Sequence, residues 1–135
     1  MNKVKTGICS YGMSGKLFHA PFINAHPGFN LYGVWERTKN LAAEKYPSIK
    51  TFRHLEDMLA DEAIDLVVVN TPSITHYEFA KKVLEANKHL VVEKPFTATS
   101  EEAKELAALA QAKGKLLSVY HNRRYDSDFK TVKKI

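Results

Sequence analysis

The segment Ser10-Tyr11-Gly12-Met13-Ser14-Gly15 sets two glycines three residues apart, directly after a run of strand-forming residues. It fits the pattern G-x-G-x-x-G with serine in the first position. Such a loop works through its main chain. The backbone turns tightly, Gly12 admits a close neighbour, and Gly15 lets the next helix pack against the strand. The helix that opens here aims unpaired amides and the positive end of its dipole outward, which is a cradle for phosphate. Serine suits the first position if the turn there needs no positive φ. An acid about twenty residues downstream, Glu36 in Val34-Trp35-Glu36-Arg37-Thr38, completes the spacing of a dinucleotide site.

A carboxylate at Glu36 can accept both hydroxyls of the adenosine ribose, which selects NAD. The adjacent Arg37 can instead pair with a 2′-phosphate and select NADP. The two residues pull in opposite directions, so the sequence leaves the choice between NAD and NADP open. Asn70-Thr71-Pro72 closes a later strand, with His76 in the first turn of the helix that follows. Pro72 stiffens the exit, and Thr71 offers a hydroxyl toward the nicotinamide ribose. His76 is read equally well as a cofactor contact or as a helix-start histidine bonded to backbone.

Glu93-Lys94-Pro95 ends another hydrophobic strand. A lysine there is poorly solvated and can bond a substrate hydroxyl, stabilise a developing alkoxide or relay a proton. The plainer alternative is a strand-end ion pair between Glu93 and Lys94. A cis Lys94–Pro95 bond is expected as a hypothesis. His19, in Phe18-His19-Ala20-Pro21, lies past the phosphate loop and is expected to be structural, far from the nicotinamide end. Cys9 falls inside a strand and reads as core. No Cys/His spacing suits zinc, so no metal is expected.

These residues need elements to hold them, and the chain supplies strands alternating with helices. Strands are expected at residues 4–9, 30–35, 49–52, 64–70, 89–92 and 116–120. Helices are expected at 39–45, 54–59 and 74–86, with a short one at 15–18. Thr99-Ser100-Glu101-Glu102 is a capping box opening a further helix whose inner face carries Ala103, Leu106, Ala107 and Ala110, and Gly114 closes it. Six strands linked by helices predict a Rossmann-type α/β fold, a doubly wound parallel sheet with helices on both faces. A last helix, 126–135, carries Phe129, Val132 and Ile135 as an apolar stripe that needs a surface to pack on.

Composition bounds the function classes. The chain has 135 residues, about one domain, with 44% hydrophobic and 26% charged residues. No apolar run approaches the length of a membrane span. The N-terminus leads straight into a strand, so no signal peptide is expected, and the lone cysteine fits a reducing, cytoplasmic setting. Net charge is +5, but the basic residues are scattered among glutamates on helix faces. That excludes a convincing nucleic-acid reader.

Several of these motifs together resemble the glucose–fructose oxidoreductase / inositol 2-dehydrogenase (Gfo/Idh/MocA) family. The resemblance is carried by Gly12-Met13-Ser14-Gly15 with Phe18-His19-Ala20-Pro21, by Asn70-Thr71-Pro72 with His76, by Glu93-Lys94-Pro95 and by Asn122-Arg123-Arg124-Tyr125-Asp126. It implies a NAD(P)-dependent oxidoreductase that moves hydride to or from the hydroxyl carbon of a sugar, polyol or related molecule. Lys94 would then touch nicotinamide and substrate, and Asn122 would lie near the nicotinamide end. The resemblance also implies a dinucleotide domain over residues 1–120, with 121–135 opening a substrate domain that this chain lacks, and a homo-oligomer. Two departures stand out: Ser10 replaces the usual first glycine, and the chain stops where the second domain would start. A non-enzymatic NAD(P)-binding sensor of the same fold is the competing class.

Overall fold

The apolar runs of the sequence become six strands: β1 (Val4–Ile8), β2 (Phe29–Trp35), β3 (Lys50–Phe52), β4 (Leu66–Val69), β5 (His89–Val92) and β6 (Leu117–Val119). In the computed structural model, which describes residues 2–135, they pair in the order β3-β2-β1-β4-β5-β6. Every neighbouring pair is parallel. This is the strand order of two mononucleotide-binding halves joined at β1 and β4.

The helices are α1 (Ala20–Ala25), α2 (Leu41–Lys45), α3 (Leu55–Ala60), α4 (His76–Glu85), α5 (Ser100–Lys113) and α6 (Ser127–Lys133). Two apolar layers hold α1–α5 to the sheet because strand side chains alternate in direction. Val67 and Val69 of β4 pack with Met58 of α3, Val83 and Leu84 of α4, and Leu106 of α5. Val68, between them, faces the opposite layer with Ile8, Leu31, Val34, Ala20 of α1 and Ala42 of α2. Met58, Leu84 and Leu106 are fully buried, each a contribution of about 1.5–3 kcal/mol. A sheet buried on both faces explains why β4 reads as an unbroken apolar run.

Local signals at α5 hold in detail. Thr99 accepts from the Glu102 amide, and the Glu102 carboxylate accepts from the Thr99 amide, the full capping box. Gly114 ends the helix with φ 62°, a conformation that costs glycine nothing. The inner face differs from expectation at one position. Leu106 and Ala110 are buried and Leu109 packs partly against the core, whereas Ala107 is exposed. The stripe therefore runs along 106, 109 and 110, because α5 meets the rest of the layer mainly along α4.

The first helix is the larger correction. Instead of one short turn, helical backbone runs from Met13 to Ala25, with a π-helical stretch at Gly15–His19. There the Ala20 amide donates to the Gly15 carbonyl, five residues back. Pro21 sits in the first turn of α1, directly after the π-helical stretch. At the other end of the chain, Val132 and Ile135 of the α6 segment are exposed and Phe129 is 41% exposed, so the apolar stripe stands uncovered. Cys9 is buried as expected, and burial pushes its thiol up to about 12.

Candidate dinucleotide site

Because all six strands run the same way, their carboxyl ends share one rim of the sheet. Ser10, Glu36, Asn70, Glu93 and Tyr120, each just past a strand, gather along it. β1 and β4 are neighbours whose connections leave in opposite directions, so a crevice opens between them at the point where such folds take ligands.

The glycine loop crosses this crevice. Gly15 has no room for a side chain: a Cβ there would lie 2.2 Å from the Ser10 carbonyl oxygen and 3.2 Å from Asn70 Nδ2. The close approach is what lets the helix start directly against β1. Ser10 needs no positive φ, and its Oγ accepts from the Gly12 amide at 3.1 Å. The departure from glycine thus tightens the turn. Lys16 N–H donates to Gly12 O, so the amides of Met13, Ser14 and Gly15 form a first helical turn without partners in the helix.

Asn70 underpins the loop from β4. Its Nδ2 donates to Ser10 O at 2.8 Å and approaches Ser14 Oγ at 3.2 Å. Its Oδ1 is buried without a hydrogen-bond partner, although Asn70 is only 6% exposed. A buried acceptor left open beside a cradle of free amides suits a ligand that brings its own donor.

Two clefts meet here. The smaller, about 560 Å³, is walled by Ser10, Tyr11, Gly12 and Lys16 on one side and by Trp35–Lys39 on the other. The larger, about 1660 Å³, holds Glu93, Lys94 and Asn122 with Met13, Ser14 and Asn70. Thr71 lines both. Its hydroxyl lies 2.7 Å from that of Thr75, and Pro72 lines the smaller cleft.

At the end of β2, Glu36 turns inward. It is 8% exposed, and its two carboxylate oxygens accept from the Leu41 and Ala42 amides at 3.1 and 2.9 Å, capping α2. Arg37 is exposed. Sequence reasoning missed Arg53, whose guanidinium donates to the carbonyls of Glu36 (2.8 Å) and Lys39 (2.6 Å) and so braces the 36–40 loop from β3.

At the end of β5 the Glu93–Lys94 ion pair does not form. Glu93 Oε1 accepts instead from His19 Nε2 at 2.8 Å, and its other oxygen accepts from the Lys94 amide. Lys94 itself is exposed rather than desolvated, because residues 93–95 leave the sheet and climb onto the rim. The Lys94–Pro95 peptide is cis. His76 is buried, its ring nitrogens 2.7 Å from Pro95 O and 2.9 Å from Thr71 O. A neutral ring carries one N–H, so it donates to one of these two carbonyls and packs against the other, between the loops after β4 and β5. His76 also lines the larger cleft.

His19, expected to lie far from the nicotinamide end, is not remote from it. The π-helical stretch swings it under the rim, where it is 4% exposed, bonded to Glu93 and 4.5 Å from the Tyr120 ring. Tyr120 OH in turn donates to Phe18 O. Burial holds His19 below the usual histidine range and outweighs the opposing bond from Glu93. Burial, with Glu93 second, pushes the Tyr120 phenol up. A histidine kept neutral by folding favours the native state fully above its ordinary value of about 6.5, and that contribution is lost as pH falls below it. The urea midpoint of the wild type should therefore drop more steeply between about pH 7 and pH 5 than that of His19→Gln. Parallel slopes in the two proteins would exclude His19 as the sensitive group.

Residues 4–121 match the family model described as "Oxidoreductase family, NAD-binding Rossmann fold" (GFO_IDH_MocA). The chain is 42% identical over 135 residues to a scyllo-inositol 2-dehydrogenase (NADP(+)) of Bacillus subtilis, covering 100% of this chain and 38% of that protein. An oxidoreductase from Bacillus cereus superposes with a TM-score of 0.92 at 37% identity, over 98% of this chain and 39% of the other. GenD2 from gentamicin A biosynthesis, solved in complex with NAD, superposes with a TM-score of 0.91 at 28% identity, over 99% and 39%. The chain thus spans under two-fifths of the length of each of these relatives. With the strand order, the glycine cradle and the family match in agreement, the chain belongs to the Gfo/Idh/MocA family of oxidoreductases and has its NAD-binding Rossmann fold.

Proposed function

We propose that this chain holds a nicotinamide dinucleotide across the β1–β4 crevice, and that the protein transfers hydride to or from the hydroxyl carbon of a sugar, polyol or related small molecule. The observation that carries the proposal is the pair of clefts meeting at Thr71, with the glycine loop between them and Lys94 at the far end. Adenosine fits the cleft beside Glu36 and Arg37. The pyrophosphate fits the amides of the 10–15 loop, and the nicotinamide end fits the cleft that contains Lys94 and Asn122. When bound, the nicotinamide supplies or accepts the hydride.

The chain's own groups divide the remaining work. Lys94 is exposed in the larger cleft, and Glu93, its natural partner, is engaged by His19. The ammonium is thereby left to bond a substrate hydroxyl, steady negative charge on its oxygen and pass a proton at that atom. Asn122, half-buried in the same cleft, orients the ligand with its amide. His76 acts through the backbone, donating to one of the Thr71 and Pro95 carbonyls and packing against the other. The relative named for scyllo-inositol supports a polyol as the substrate class. Kinship with oxidoreductases favours an enzyme over a sensor of the same fold.

The same proposal takes residues 1–120 as the dinucleotide domain and 121–135 as the lead into a substrate domain, which in turn supports subunit assembly. The uncovered apolar stripe on α6 agrees with that reading. Titration with NADH and NADPH, followed by fluorescence, and then a polyol panel with both coenzymes, tests it. Saturable binding is expected, with turnover wherever the large cleft is walled on its open side. Absence of binding by either coenzyme overturns the proposal, and binding without turnover in every form of the protein returns the sensor.

A further inference from the structure

Resting on that dinucleotide reading, we propose that this chain prefers the 2′-phosphorylated coenzyme, and that Arg37 with Lys39 selects it. An acid at the end of β2 selects the unphosphorylated ribose when its oxygens are turned to the 2′ and 3′ hydroxyls. Glu36 is committed elsewhere. Its oxygens point back under the loop onto the amides of Leu41 and Ala42, and it is almost wholly covered. Its negative charge is spread over two main-chain donors rather than presented to the cleft.

The loop that follows is held in place from below. Arg53 donates to the carbonyls of Glu36 and Lys39, and Trp35 Nε1 donates to Arg53 O. This bracing leaves Arg37, Thr38 and Lys39 exposed on the rim of the smaller cleft. Among the described residues neither Arg37 nor Lys39 joins an ion pair. With Lys16 on the facing wall, three cations surround the cleft against one capped carboxylate. A phosphomonoester carries close to two negative charges at neutral pH and three acceptor oxygens, and the planar fork of arginine matches two of them at once. The hydroxyl of Thr38 adds a neutral donor. Unphosphorylated adenosine would leave these cations unanswered and would find the carboxylate already occupied.

The test is a binding measurement. Trp35 is the only tryptophan of the chain and lines the smaller cleft, so its fluorescence reports both coenzymes directly. NADPH is expected to bind at least ~10-fold more tightly than NADH at low salt, the scale of one charge-assisted contact. Its affinity should also fall more steeply as salt is added. Arg37→Ala should bring NADPH to the level of NADH, with the larger loss of affinity falling on NADPH. Arg37 is exposed, so the variant retains the fold, which a melting curve verifies. Equal or tighter binding of NADH by the wild type overturns this preference while leaving the dinucleotide site standing. So does a loss in Arg37→Ala that is the same for both coenzymes. Failure of both coenzymes to bind overturns the site and the preference together.

Discussion

Lys94→Ala will lower turnover by roughly 10²–10⁴-fold, the range for removing a positioned proton-transfer group, while coenzyme affinity stays within ~2-fold. The separation follows from where the residue sits. Lys94 lines the large cleft just past β5, whereas the glycine loop follows β1. Its Nζ joins no ion pair among the described residues, so its removal leaves no buried charge behind. The neighbouring Glu93 keeps His19, and the main-chain bond from residue 94 to Glu93 survives any side-chain change. Steady-state kinetics on the active protein, beside a coenzyme titration of the same variant, provide the two readings. Turnover within a factor of a few of wild type would remove Lys94 from the chemistry.

Gly15→Ala will have the largest effect on coenzyme binding. The new methyl would stand 2.2 Å from the Ser10 carbonyl oxygen and 3.1 Å from its carbon. Neither can step aside as a side chain would, because that carbonyl is anchored by Asn70 Nδ2. The helix must back away from β1 or the turn must open. Overpacking of this kind costs about 1–3 kcal/mol, sometimes more, and it displaces the amides that would meet the pyrophosphate. A melting temperature lower by several degrees and a loss of coenzyme affinity of ~100-fold or more are expected. Gly12 provides the contrast: a Cβ there meets only Ser10 Oγ at 3.3 Å, so Gly12→Ala should melt near wild type. An unchanged melting curve and affinity in Gly15→Ala would show that the loop does not work by close packing.

What the sequence revealed and what it hid divide along a physical line. The strands of the sheet were legible because a strand buried on both faces is an apolar run, and the runs at β4 and β5 are unbroken. The α5 cap was legible because its residues are three apart and act on one another. The glycine loop, Glu36 and Glu93-Lys94-Pro95 stood at strand ends that a parallel sheet must bring to one rim. Contacts between distant segments were not legible. His19 and Glu93 are 74 residues apart, and only the π-helical stretch, which shifts the helix phase, turns His19 toward β5. A histidine followed by Ala20-Pro21 inside helical backbone was the one available sign. Arg53 lies beyond β3 with nothing local to show that its guanidinium reaches back to the carbonyls of 36 and 39. Glu36 was placed correctly at the end of β2, yet its direction depended on where α2 begins. Helix starts are uncertain by a residue or two in any reading by pattern.

Cys9 adds one last consequence. The single thiol of the chain lies just past β1, where burial keeps it protonated and hence a poor nucleophile. Cys9 borders the smaller cleft just past β1, so a thiol reagent reaches it when the structure around that strand end opens. The rate of labelling is then a stopwatch for that opening, built into the chain without any engineered probe.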